Sequence, residues 1–261
     1  MSGSNLFTTS LSTILASAFL FSTAVMAQAS SDNKNAPVTR DQLPALVKEV
    51  LLSDPTILTQ VIEKMQENQA NIMVANAKEA IAKNKKEIFS DPNSPVVGSA
   101  DADVTVVEFF DYHCGYCKQA FISLSKLMDS DKKIRVVFKE YPILSDNSRL
   151  ASKAALAVNR IAKDKYFDFH KAMLNVNGMI SESKILEEAK KLGISEDKMK
   201  KEISNPEIET ILNKNKDLGT TIGAVGTPSI IIGDNFYPGA MSFEAMQKAV
   251  AEVRAAKTNK K

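Results

Sequence analysis

The stretch that most limits this chain is VEFFDYHCGYCKQAF, which holds the only two cysteines of the 261-residue sequence. The β-branched and aromatic run VTVVEFF before it reads as a buried strand, and KQAFISLSKLM after it reads as a helix. A strand, two thiols at C-x-x-C spacing and a helix place Cys114 at a helix N-terminus. Unpaired N–H groups and the helix dipole favour an anion there. Helix N-termini and C-x-x-C motifs lower a thiol pKa from its usual value near ~8.5. Cys114 is therefore the expected nucleophile and redox partner of Cys117. Cys117, one turn inward, is the more buried thiol and would resolve a mixed disulfide. A c-type haem site would need His where Lys118 stands. A zinc site would need further ligands, yet His113 and His170 are the only histidines and no second C-x-x-C or H-x₃-H occurs. No metal and no dissociable cofactor is expected. Two unreactive core thiols remain the alternative at this point.

The rest of the chain supplies the setting. Residues 1–29 carry an apolar run from about Leu11 to Val25, followed by small residues at Ala27 and Ala29, which reads as a signal peptide for export. Residues 30–90 read as a polar leader and a helical segment. Leu43, Leu46, Val47, Val50 and Leu51 recur at helical spacing. Ser53 or Asp54 caps a second helix whose first turn holds Pro55. That second helix reads as continuous to Phe89, roughly 50 Å long. Its apolar stripe, through Leu58, Met65 and Ile72, needs a cover, and a second copy of the chain is the expected one, as a dimer rather than a trimer. Residues 91–103 gather Pro, Gly, Ser and Asp and read as a linker. From Val104 to the end the order is strand, helix, strand, a helical block over about 146–218, strand, strand and helix. The formal net charge of +2 leaves no basic face for nucleic acid.

The flanks carry a resemblance. VEFFDYHCGYC after a strand, together with GTPSIIIG more than a hundred residues later, resembles the thioredoxin superfamily. The helical block resembles the insertion of the DsbA-like proteins, and the N-terminal helical segment resembles the Com-one type among them. The fold class implied is α/β, a thioredoxin fold with a helical insertion, preceded by a helical segment. The resemblance also implies roles. Pro228 is the cis proline beside the cysteines, and Thr227 precedes it. Glu108 is the buried acid that accepts a proton from Cys117, and Lys139 in the second strand is its charge partner. A protonated His113 would support the thiolate; otherwise it is a rim residue facing solvent. His170 is a helix-surface or packing residue.

Gly115 and Tyr116 between the cysteines, with Thr227 before the proline, are similar to the DsbC-type isomerases rather than to strongly oxidising DsbA. The resemblance thus implies an exported, periplasmic thiol–disulfide oxidoreductase that forms and isomerises disulfides. Its partners would be unfolded or misoxidised exported proteins and a membrane redox protein of the DsbB or DsbD kind. An envelope protein with a structural disulfide is the competing reading.

Overall fold

The computed structural model describes residues 37–258. The signal-peptide expectation lies outside them. The chain divides into two compact units, one ending at Ile57 and one starting at Leu58. Within the first unit lies α1 (Leu43–Ser53), which buries no residue and leaves Leu43, Leu46, Val47, Val50 and Leu52 exposed. Asp54 follows it and accepts hydrogen bonds from the Thr56 N–H and hydroxyl. Thr56 opens α2 (Thr56–Lys83).

Within the second unit α2 changes character along its length. Leu58, Val61, Ile62, Met65 and Ile72 are exposed, whereas Ala77 and Ile81 are buried. The helix stops at Lys83, short of the expected Phe89, and a separate turn, α3 (Lys85–Phe89), follows. The cause is Asn84, whose side-chain amide donates to the Ala80 carbonyl at 2.8 Å. Asn competes with the helix ladder for such carbonyls. The expected linker also holds structure. Val96–Gly98 forms β1, an edge strand antiparallel to β3. A Cβ on Gly98 would sit 2.6 Å from the Ile134 carbonyl, so only glycine lets these strands approach.

The remaining elements are β2 (Val104–Phe110), α4 (Gly115–Ser130), β3 (Ile134–Glu140), α5 (Asp146–Ile161), α6 (Tyr166–Leu174), α7 (Glu182–Lys191), α8 (Glu196–Ile203), α9 (Pro206–Thr221), β4 (Ser229–Ile232), β5 (Asn235–Pro238) and α10 (Phe243–Thr258). The sheet order is β1-β3-β2-β4-β5. β2 and β3 run parallel, and β4 and β5 are antiparallel additions. The three inner strands are buried almost throughout because both faces of the sheet are covered, and they hold Glu108, Lys139 and Glu140 among their apolar residues. Val106, Phe110, Val136, Phe138, Ile230 and Ile232 face α4, α10 and the helical block. Val107, Phe109, Val137 and Ile231 face Ala77, Ile81 and Ile88. The end of α2 is therefore part of the sheet's core and closes its second face.

Register decides one expected pair. Glu108 lies opposite Phe138, and Lys139 lies opposite Phe109. Successive strand residues point to opposite faces, so Lys139 is on the far side of the sheet from Glu108 and is not its charge partner. The Lys139 ammonium is fully buried and donates to the Glu87 carbonyl, the Ser94 hydroxyl at 2.7 Å and the Asp91 carboxylate at 3.4 Å. It fastens the turn after α3 to the sheet. Burial pulls its pKa down, and Asp91 opposes that pull.

Candidate active site

The loop from β2 to α4 is shaped by Asp111, which is fully buried. One carboxylate oxygen accepts from the His113 N–H at 2.8 Å, and the other accepts from the N–H groups of Ile143 and Leu144 at 2.9 and 3.0 Å. The Asp111 carbonyl accepts from the Cys114 N–H at 3.1 Å. An Asx turn of this kind is local chemistry that Asp favours. It sets Cys114 as the N-cap residue of α4, with extended backbone at φ −78°, ψ 116° and no side-chain cap on the helix. The Cys117 N–H donates to the Cys114 carbonyl at 3.1 Å, and the N–H groups of Gly115 and Tyr116 at the start of α4 are left for an anion.

Cys114 and Cys117 are both free thiols. Cys114 is 8% exposed and its Sγ donates to the Thr227 carbonyl at 3.1 Å. Thr227–Pro228 is a cis peptide bond. Cys117 is 1% exposed. Burial pushes its thiol well above the ordinary cysteine range, and the nearby Glu108 carboxyl pushes it further. Burial pushes Glu108 itself up to about 8. The pair thus sorts into one slightly exposed thiol at a helix N-terminus and one fully buried beneath it that needs a base.

The loop carrying the cis bond is held from below. Tyr141 donates to the Ala224 carbonyl at 2.9 Å, and Ser229 Oγ donates to the Gly226 carbonyl at 2.8 Å. Gly219 makes room for Tyr141, whose ring atoms would lie 2.6 Å from a Cβ there. Exposed apolar residues on the cysteine loop and on the segments that follow β3, α6 and α9 include Tyr116, Ile143, Leu144, Met179 and Val225. A Cβ on Gly115 would meet nothing within 4 Å, so packing does not require glycine between the cysteines.

His113 is partly buried, not free at the rim. Its Nδ1 lies 3.2 Å from Ser148 Oγ, and its Nε2 accepts from the Ile180 N–H at 3.2 Å. Lys118 donates to the Val176 carbonyl. Both residues tie the cysteine loop to the helical block. His170 is fully buried in an aromatic cage, 4.5 Å from the Phe138 ring and 4.7 Å from Phe110, so it is a core residue and not a surface one. Sequence reasoning missed Asp111, Tyr112, Glu140 and Tyr141. Asp three residues before the first cysteine was the available signal for the loop; nothing local marked the others. Among the described residues no cluster of three or more His, Cys, Asp or Glu could hold a metal ion.

The family model described as Thioredoxin matches residues 90–252. The chain belongs to the thioredoxin family. Within it, the chain has the DsbA-type arrangement, with a helical block between the second and third family strands. It is 37% identical to the thiol-disulfide exchange protein alpha-DsbA2 from Wolbachia pipientis, with a TM-score of 0.64 over 68% of this chain and 95% of that one. Proteus mirabilis ScsC in a transitional conformation is 28% identical, with a TM-score of 0.64 over 85% of this chain and 99% of that one. The disulfide bond formation protein D of Bacillus subtilis is 24% identical over 166 residues, 60% of this chain and 75% of that one. The chain spans only 24% of the length of the Na(+)/H(+) antiporter NhaA 1 of Salinispora arenicola, to which 157 residues are 25% identical. Among the described residues no helix is long and apolar enough to cross a membrane.

Proposed function

We propose that this thioredoxin-family protein is an exported thiol–disulfide oxidoreductase of the DsbA/ScsC type. The observation that carries the reading is the asymmetry of the two thiols. Cys114 caps α4 and faces Thr227 at the cis bond, while Cys117 lies buried near Glu108. In reduction, the Cys114 thiolate attacks one sulfur of a substrate disulfide. A mixed disulfide forms, and the other substrate sulfur leaves as a thiolate and takes a proton. Cys117 then gives its proton to Glu108, which burial pushes up to about 8 so that only a minority of molecules hold it ionised and ready to accept at neutral pH, and attacks Cys114 Sγ. The substrate's second sulfur leaves, and two electrons have passed to the substrate. Oxidation runs the same steps backwards. In isomerisation a second substrate thiol attacks the mixed disulfide, and no electrons are gained or lost overall.

The isomerase half of the reading is supported by Gly115, Tyr116 and Thr227, by their likeness to the DsbC-type residues. It also needs a way to hold a misfolded substrate between reaction centres. The uncovered apolar residues of α1 and of the first part of α2 support self-assembly, as a dimer in the simplest case. The partners proposed are unfolded or misoxidised exported proteins and a membrane redox protein that resets the thiols.

The test is a truncation that respects the core. Removing residues 39–70 takes away the exposed apolar residues up to Met65 but leaves Ala77, Ile81 and Ile88 on the sheet. Light scattering should show assembly lost, and dithiol oxidation should persist. Refolding of a scrambled multi-disulfide protein should fall sharply. A full-length monomer overturns the assembly, a truncated form that still isomerises overturns its role, and a full-length protein inert toward dithiols overturns the enzyme.

A further inference from the structure

A chain of buried polar groups runs beneath the cysteine loop and plays no part in the thiol exchange described above. Tyr112, two residues before Cys114, points into the core and is fully buried. Its hydroxyl lies 3.2 Å from Glu140 Oε1 and 3.0 Å from His170 Nδ1. Tyr166 donates to the same Glu140 oxygen at 3.0 Å. The far ends, Glu140 Oε2 and His170 Nε2, are buried without a hydrogen-bond partner. Buried polar groups are usually paired, and an unpaired one asks for a reason.

We propose that Glu140 is a positioning residue for the Cys114 loop, acting through Tyr112, and that the Tyr166–Glu140–Tyr112–His170 chain is a proton wire with two settings. In the first, neutral Glu140 accepts from Tyr166 and donates to Tyr112, Tyr112 donates to His170 Nδ1, and the imidazole proton is on Nε2. In the second, Glu140 is ionised and accepts from Tyr112 as well as Tyr166, Tyr112 accepts from His170 Nδ1–H, and Nε2 carries no proton; Nε2 is buried without a partner, so its proton is exchanged only when the cage opens transiently. One proton is lost overall; the Glu140–Tyr112 and Tyr112–His170 hydrogen bonds reverse direction, and Tyr166 donates to Glu140 in both settings. The groups facing Glu140 are Tyr112 from the loop after β2, Tyr166 and His170 from α6, Ser152 from α5 and the Asp111 carboxylate, while Asn215 of α9 holds its backbone carbonyl. None is a cation. Burial pushes Glu140 up to about 8 and pulls His170 down to about 3, so the ring stays neutral while the carboxyl titrates.

The functional half rests on Cys114 as the nucleophile, whereas the wire does not, and two measurements separate them. The sequence has only two histidines, so ¹⁵N spectra of the full-length reduced protein resolve His170 directly. Nδ1 should be the unprotonated nitrogen at pH 6 and the protonated one above about pH 8.5. Glu140→Gln should hold the first setting at both. The same tautomer at both pH values in the unsubstituted protein overturns the wire. For positioning, Glu140→Ala should slow alkylation of Cys114 at pH 7 by roughly fivefold, the worth of one ordinary hydrogen bond. Glu140→Gln should recover most of that rate. An unchanged rate in Glu140→Ala, or a loss that Glu140→Gln does not repair, overturns the positioning role. If the wild-type thiol that reacts first is Cys117, the proposed enzyme reading fails while the wire still stands on its spectra.

Discussion

Replacing Glu108 by Gln should stabilise the protein, and the gain should grow with pH. The side chain is buried beside Cys117, and desolvation raises its pKa from 4.5 to about 8. Between those values the folded state keeps a proton that the unfolded chain has released. The folded state therefore binds more protons, and stability falls as pH rises, by about 1.4 kcal/mol per pH unit. At pH 7 the wild-type fold has lost roughly 3 kcal/mol to this one carboxyl, and the loss stops growing above about pH 8. Gln keeps the shape and cannot ionise. For a chain of this size each kcal/mol moves Tm by about 2–4 °C, so Glu108→Gln should gain roughly 6–12 °C at pH 7 and little at pH 5. Thermal unfolding of the reduced protein at pH 5, 7 and 8.5 measures this. A difference that is constant or shrinks with pH would refute the reasoning. The same variant should resolve mixed disulfides slowly, since Cys117 loses its proton acceptor.

Iodoacetamide should modify Cys114 before Cys117 in the reduced protein, read by peptide mass, and Cys117→Ser should accumulate mixed disulfides with substrate. Ile81→Ala should cost about 2–5 kcal/mol in chemical unfolding, because Ile81 is fully buried on the second face of the sheet. Met65→Ala, on the exposed part of the same helix, should change that stability by less than about 0.5 kcal/mol while weakening self-assembly. Lys139→Met should cost roughly 3 kcal/mol by stranding Asp91 and the Glu87 carbonyl, with hydrogen exchange rising over residues 85–94.

What the sequence revealed was local, and what it hid was made at long range. The run from Val104 to Phe121 could be read because an apolar strand, the thiol spacing and the following helix each leave a mark in neighbouring residues. The strand Val96–Gly98 could not, because three residues in a Pro- and Ser-rich stretch form a strand only when β3 is beside them. The break at Asn84 had no Gly or Pro to announce it; a side-chain amide bonded to Ala80 makes it. The apolar stripe of α2 was seen as one surface needing one cover. The fold divides it, giving Ala77 and Ile81 to the sheet and leaving Leu58 to Ile72 outside. Periodicity marks an apolar face, but it does not say which neighbour will cover it.

The cysteines and Glu108 share a similar contrast with Lys139. A single strand tells which of its own residues share a face, but pairing Glu108 with a side chain on another strand needs the register. With Glu108 opposite Phe138, the acid on β3 that shares its face is Glu140, opposite Phe110. Both are buried, both are pushed up to about 8, and among the described residues no buried cation answers either on that face. A core selected for stability alone would not keep two such carboxyls, since apolar residues of similar size would remove a cost of several kcal/mol at neutral pH. One lies near Cys117 and the other holds the tyrosine two residues before Cys114. The sheet gives up stability on the face that meets the thiols, where the proposed exchange has Glu108 take up and release a proton.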